Sequence, residues 1–402
     1  EEEAPNPGDQ WNFQFPEDSG QSSGQGSIYL NVIQTDAAIN HGNSGGALTR
    51  DGGTLIVIGD TTATRTFSIG SGGGTFDVDL TRTLTLNGEV SGGGTLQKTG
   101  RGTLVLGAAN SYTGGTSVAA GSLEAPATGA LGAGPVAVAG NASLVFGSNA
   151  DASGLTITAA ARGATGNGGF VRFGDSTSAG SARLVMNTGA AAEFRDNASA
   201  GHAVIENHGG LTSIWSNATA GNARITNFSG GQINLLDDAS AGQATFVNQS
   251  GGLIDIFVHG RAVQATGINN GGARLRIRSL TTAGISIGAL SGAGDVILGA
   301  KALTTGGLNA NTEVSGAISG TGGSLIKIGT GTLTLSGANT YTGGTQLLAG
   351  RIDVGSNSAL GTGALDMADG TTLGLAANGL NLANNILLSG AGAPIVDTGR
   401  FT

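Results

Sequence analysis

A large apolar residue returns every 21 positions through the middle of this chain: Phe173, Phe194, Trp215, Leu236 and Phe257. A small-residue segment follows each of the first four, reading STSAGSA, NASAGHA, NATAGNA and DASAGQA. An apolar stretch then closes on Asn187, Asn207, Asn227 and Asn248. A period near 20 with one bulky residue in register describes one structural coil per repeat. A single coil cannot bury its own apolar face, so coils must stack. Stacking predicts an internal ladder of the five bulky residues. It also predicts a second ladder in which each Asn amide bonds to its neighbours at a turn.

The strand content follows from alternation. GTLIVIG, TFDVDL, TLTLNG, GTLVLG and SLVFG each alternate apolar and polar residues over four to six positions and end in Gly, Asn or Asp. That is the signature of short strands separated by tight turns. No helical period of useful length competes with it, and the Gly density opposes one. Gly is the commonest residue, at 76 of 402, whereas charged residues make up only 11%. Disorder is disfavoured by the 39% hydrophobic content and its regular order. Collagen is excluded by the absence of a three-residue Gly period and by only six Pro.

The expected fold is therefore all-β: a right-handed parallel β-helix over residues 52–402, preceded by an irregular segment, 1–51. About 16 coils of about 20 residues, rising about 4.8 Å each, give a rod on the order of 80 Å long. Leucine-rich repeats share the period but not the sequence frame. Calcium-binding nonapeptides have only a single partial match, at 72–79.

A longer duplication brackets the 21-residue coils. GGGTLQKTGRGTLVLGAANSYTGGT (92–116) recurs as TGGSLIKIGTGTLTLSGANTYTGGT (321–345), with sixteen of 25 positions identical, Lys98/Lys327 and Tyr112/Tyr341 among them. The extended copies, 92–134 and 321–365, resemble the passenger-associated repeat of bacterial autotransporters, and the ASAG coils at 170–260 resemble passenger sequences too. The resemblance implies a secreted or surface-displayed β-helical stalk for presentation or adhesion. It further implies, as partner, a C-terminal outer-membrane translocator barrel that lies outside this sequence, and possible contact with a host or neighbouring cell. The expected location is the bacterial surface, outer membrane or extracellular space. The chain opens on Glu1 without a basic-then-apolar leader and stops at DTGRFT, so a mature or excised piece is expected.

Charge and cysteine content fit that reading. A formal charge of −9 argues against nucleic acid as partner, because phosphate binding needs a basic footprint. No Cys is present, which suits a chain crossing an oxidising compartment unfolded. No cofactor and no metal set is expected.

One stretch carries a different chemistry. YLNVIQTDAAINHGNSGGALTRDGGTLIVIGDTTA (29–63) resembles the nucleophile end of HtrA-type trypsin-like serine proteases. The resemblance makes Ser44 the candidate nucleophile, with the backbone N–H groups of Gly42, Asn43 and Ser44 as an oxyanion loop. A triad also needs a His base and an orienting Asp. Among the 43 residues before Ser44 the only His is His41, three positions away in the loop itself. His202, His208 and His259 fall on the coils and are expected on the outer face. No triad assembles from this chain, so catalysis is not expected of it. The alternative is a fragment of a secreted serine endopeptidase autotransporter whose protease half lies upstream. Arg274, Arg276 and Arg278 alternate and should share one solvated strand face. Asp237–Asp238 reads as a turn pair, and the NAS, NAT, NFS and NQS sequons are incidental in a bacterial chain.

Overall fold

The computed structural model describes residues 27–30, 48–50, 52–163, 166–257, 262–389 and 392–399. Among these every regular element is a β-strand, from two to eight residues long. Each strand pairs in parallel with the strand one coil on, not with its neighbour in sequence. Leu96–Thr99 pairs with Thr116–Val118, which pairs with Val136–Val138, which pairs with Thr156–Ala159. The molecule is a parallel β-helix. Ahead of residue 52, Ser27–Leu30 pairs with Thr54–Val57 and Leu48–Arg50 with Phe67–Ile69, so the stacking reaches into the segment expected to be irregular.

Three faces run along the lower part of the rod. One carries the column Lys98, Val118, Val138, Ala159, Met186, Asn207, Asn227, Asn248 and Asn269. A second carries Phe146, Phe173, Phe194, Ile214, Leu235 and Ile256. The third is held through the middle by single parallel bridges, Asp151 to Ser178 to Ser199 to Thr219 to Ser240. Strands on the first two faces show the in–out alternation their sequences predict, as in Thr103–Leu106 and Ala191–Phe194. The inward side chains merge into one continuous apolar core.

The small-residue segments make the third face. In the coil around residue 200, Ala198, Ala200 and Ala203 point inward and are fully buried. The lumen there is already filled by Phe and Ile from the opposite walls, so nothing larger than a methyl group fits. Gly201, Gly221 and Gly242 turn the corner at φ near 58°, and a Cβ on each would meet the backbone of the glycine one coil below. Both facts demand Gly.

The predicted ladders are real but displaced. Phe173 and Phe194 are internal and stack at 4.8 Å, with Phe146 below at 4.7 Å. The next rung is Ile214, not Trp215, followed by Leu235 and Ile256 rather than Leu236 and Phe257. The coil from Phe194 to the next rung is 20 residues, so a constant 21-residue spacing carries Trp215 past the strand end. A one-residue slip in a strand exchanges the two faces. Trp215, Leu236 and Phe257 are half-buried on the outer side. The amide ladder likewise starts one rung later, because Met186 holds the place expected for Asn187. It then extends beyond Asn248 to Asn269. Asn207 Nδ2 donates to Asn227 Oδ1 at 3.4 Å, Asn227 to Asn248 at 3.0 Å and Asn248 to Asn269 at 2.9 Å.

The rod changes phase once. Ala262–Asn269 and Gly284–Ser291 are eight-residue strands with a register shift between Ala262 and Thr266. The second half of Gly284–Ser291 pairs with Thr266–Ile268, and its first half pairs with Ala302–Thr305. The column that began at Lys98 consequently passes through Gly292 to Val314 and Leu335. Lys327 stands instead above Thr305 and Ile287, on the neighbouring face. The two copies of the long repeat thus occupy the same rod one face apart. A void of about 30 Å³ lined by Leu235, Phe246, Ile256, Leu275, Ile287 and Leu290 lies beside the step.

Candidate functional site

The Ser44 loop, with His41, Gly42 and Asn43, lies outside the described residues, as does His259. His202 and His208 are exposed, as expected of outward coil positions. His202 Nε2 lies 3.1 Å from the Asn222 amide. His208 stacks on Phe228 at 4.4 Å and sits 3.5 Å from Glu206 Oε2. Both are committed to surface contacts between coils.

The outer side chains form short networks that step from coil to coil. Glu193 receives Arg195 Nε at 2.7 Å and faces Arg172 at 3.7 Å. The Arg195 guanidinium lies 5.0 Å over the Trp215 ring and Arg172 lies 5.0 Å over Phe170. Arg183 pairs with Glu206 at 2.7 Å. Arg274, Arg276 and Arg278 do share one outward face. The middle one is not free, because it pairs with Asp255, which is only 2% exposed. Burial raises the Asp255 carboxyl above its ordinary range, and the charge of Arg276 opposes that rise. Asp237 and Asp238 are exposed at a turn, Asp237 with φ 55°. Among the described residues no three His, Cys, Asp or Glu side chains cluster in a way that could hold a metal ion.

The most specific chemistry is interior, in the two long repeats. Lys98 is fully buried, and its ammonium donates to the carbonyls of Thr99 (2.6 Å), Gly100 (3.0 Å) and Ala120 (3.2 Å). Lys327 repeats this on Ile328 (2.8 Å), Gly329 (2.8 Å) and Ala349 (3.2 Å). Three donors meet three carbonyls, so the charge is satisfied without a carboxylate. Burial draws both lysines down to about 8, with Asp77 opposing the shift at Lys98. Tyr112 and Tyr341 are buried too, each with its hydroxyl 2.6 Å from a threonine, Thr116 and Thr345. Those threonines donate in turn to Leu131 and Leu360 carbonyls. Asn110 and Asn339 complete the module by accepting from Val90 and Ile318 N–H groups one coil below. Parity was the available signal: in Leu96-Gln97-Lys98-Thr99, Lys98 shares the inward phase of Leu96.

Parallel coils, stacked interior ladders and a duplicated polar plug define a β-helical rod. Residues 96–125 and 325–354 match the family described as the passenger-associated transport repeat. The chain is 40% identical over 98 residues to the adhesin BmaC autotransporter of Brucella suis biovar 1 (strain 1330). That match spans 24% of this chain and 3% of the relative, so the relative is far longer than the segment they share. No solved structure matches the chain. The transport repeats, the autotransporter relative and the β-helical rod together support reading the chain as an autotransporter passenger.

Proposed function

We propose that the rod is displayed at the bacterial surface, joined to an outer-membrane translocator barrel, and serves as an adhesive stalk. The observation that carries this is the pair of transport repeats with matching buried Lys, Tyr and Asn contacts. The printed name of the relative, an adhesin, supports the adhesive part. The outer networks around Arg172, Glu193, Arg195 and Trp215 are the surface such a stalk would present.

Residues 1–51 are proposed as an entry segment to the rod, and Ser44 has no catalytic part in this reading. A serine hydroxyl without a positioned base is a weak nucleophile at neutral pH. The 402-residue chain is expected not to react with a fluorophosphonate probe; labelling abolished by Ser44→Ala would overturn this. Display is tested by fusing the chain ahead of a translocator barrel and treating intact cells with external protease. Loss of the rod from intact cells is expected, and protection until the outer membrane is broken would count against display. Beads coated with the purified chain should adhere to cells more than beads coated with an unrelated β-helix.

A further inference from the structure

In the first transport repeat, the turn after Ala125 leaves a cleft of about 360 Å³ against the coil above it. Small-molecule sites begin at about this size. Its accessible apolar wall is Ala127 and Leu155, with the buried Leu131 and Phe146 beneath them, and the rim is polar, made by Thr128, Asp151 and Ser153. Thr128 Oγ1 accepts the Asp151 N–H at 3.0 Å and Ser153 Oγ accepts the Ser181 N–H at 3.3 Å. Each hydroxyl is thereby used as an acceptor, which leaves its proton to donate.

Asp151 is more than its turn requires. Its Oδ1 accepts the Ser153 N–H at 2.6 Å. On the coils above, Ser178, Ser199, Thr219 and Ser240 close the same turn with a hydroxyl, accepting the N–H two residues on at 2.8–3.0 Å. One oxygen suffices for that bond. Asp151 alone in the column brings a second oxygen and a charge, and it stands at the rim of the cleft.

The second copy of the repeat supplies an internal control. Val136 and Leu365, Phe146 and Leu375, and Ile157 and Ile386 hold corresponding places in the two copies. Asp151 and Ser153 therefore correspond to Leu380 and Leu382, which pack partly buried against the core. The second copy puts leucine where the first has the two polar side chains.

We propose that this cleft binds one ring of a saccharide, a hexose-type unit, with its C–H face on Ala127 and Leu155. Sugar hydroxyls both donate and accept, and the rim offers both: Asp151 Oδ2 as acceptor, Thr128 and Ser153 as donors. A simple ammonium would leave the two donors unused, and Asp151 repels an anion. The site is a property of the folded chain and stands apart from where the rod is displayed.

The test is saturation-transfer NMR on the purified 402-residue chain with D-glucose, D-galactose, D-mannose and N-acetylglucosamine as separate probes. At least one should receive signal. Asp151→Leu with Ser153→Leu, which installs the second copy's own residues, should reduce that signal at least tenfold without lowering the thermal transition. Asp151→Ser, which keeps the turn oxygen as Ser178 does, should reduce it several-fold, and it decides the matter if the double variant does not fold. Silence from all four sugars, equal signal in the variants, or transfer to ethanolamine in place of the sugars would overturn the proposal.

Discussion

The coils of the long repeats and the coils between them solve one problem in two ways. Between the repeats the interior is a set of ladders: Phe146, Phe173 and Phe194 stack ring on ring, and Asn207, Asn227, Asn248 and Asn269 bond in series. Each rung is satisfied by an identical group one coil away, so the arrangement propagates as long as the sequence repeats. In the long repeats Lys98 and Tyr112 have no identical neighbour. They are satisfied chiefly by backbone carbonyls and a threonine a few residues off. A ladder spreads a defect along the rod, whereas a plug confines it. The ladder also needs many coils to exist, and a plug needs about two.

The largest expected effect breaks a ladder. Phe194→Ala should cost about 3–5 kcal/mol, because the ring is fully buried between Phe173 and Ile214. In a solenoid this should split the thermal unfolding transition seen by calorimetry rather than shift it whole. Ile214→Ala should cost clearly more than Trp215→Ala, the reverse of what the 21-residue spacing alone would suggest. Equal costs would restore Trp215 to the core.

The plugs should reveal themselves through pH. An unfolded lysine titrates near 10.4, and in the fold Lys98 and Lys327 are held at about 8. Below pH 8 both states are protonated and the cost of burying the charge is fully present. Between about 8 and 10 the unfolded chain holds more protons, so stability rises with pH, by on the order of 3 kcal/mol for each lysine. Urea unfolding at pH 7 and pH 10 should show the rise, and Lys98→Met with Lys327→Met should flatten it. A rise that survives in the double variant belongs to other groups.

Three smaller substitutions sharpen the contrast. Asn227→Ala strands the Asn248 carbonyl oxygen and the Leu253 carbonyl, costing about 1–3 kcal/mol. Asn187→Ala, off the column, should cost less than half as much. Tyr112→Phe removes one hydroxyl from Thr116, which still donates to Leu131, so about 1 kcal/mol is expected. Chemical denaturation ranks all three, and Tyr112→Phe exceeding Asn227→Ala would invert the comparison.

Much of this was legible in the sequence. The β-helix followed from the 21-residue return of Phe and Asn, and the duplicated interior from the shared Lys, Tyr and Asn. The bulky ladder slipped because the coil from Phe194 to Ile214 is 20 residues, so a constant 21-residue step passes from the inner column to the outer corner at Trp215. At Trp215 a single residue decides between core and surface. The phase step at 262–291 could not be read at all: both copies of the repeat look alike whichever face they occupy. The cleft at Asp151 was equally hidden, since an Asp in a turn reads as ordinary until its column is seen to use Ser and Thr. The Ser44 loop lies outside the described residues.

The phase step has a genetic consequence. The two repeats share sixteen of 25 residues, so a deletion joining them at matching codons would leave a single uninterrupted module. About eleven coils would vanish, including the step itself, yet no coil would be cut, because each copy carries its own local register. The coils after the junction would fold as before, in phase with those before it, and so stand one face turned from their place in the parent rod. A lineage can in this way shorten or lengthen the stalk and re-aim its tip in one event, without passing through a misfolded intermediate sequence.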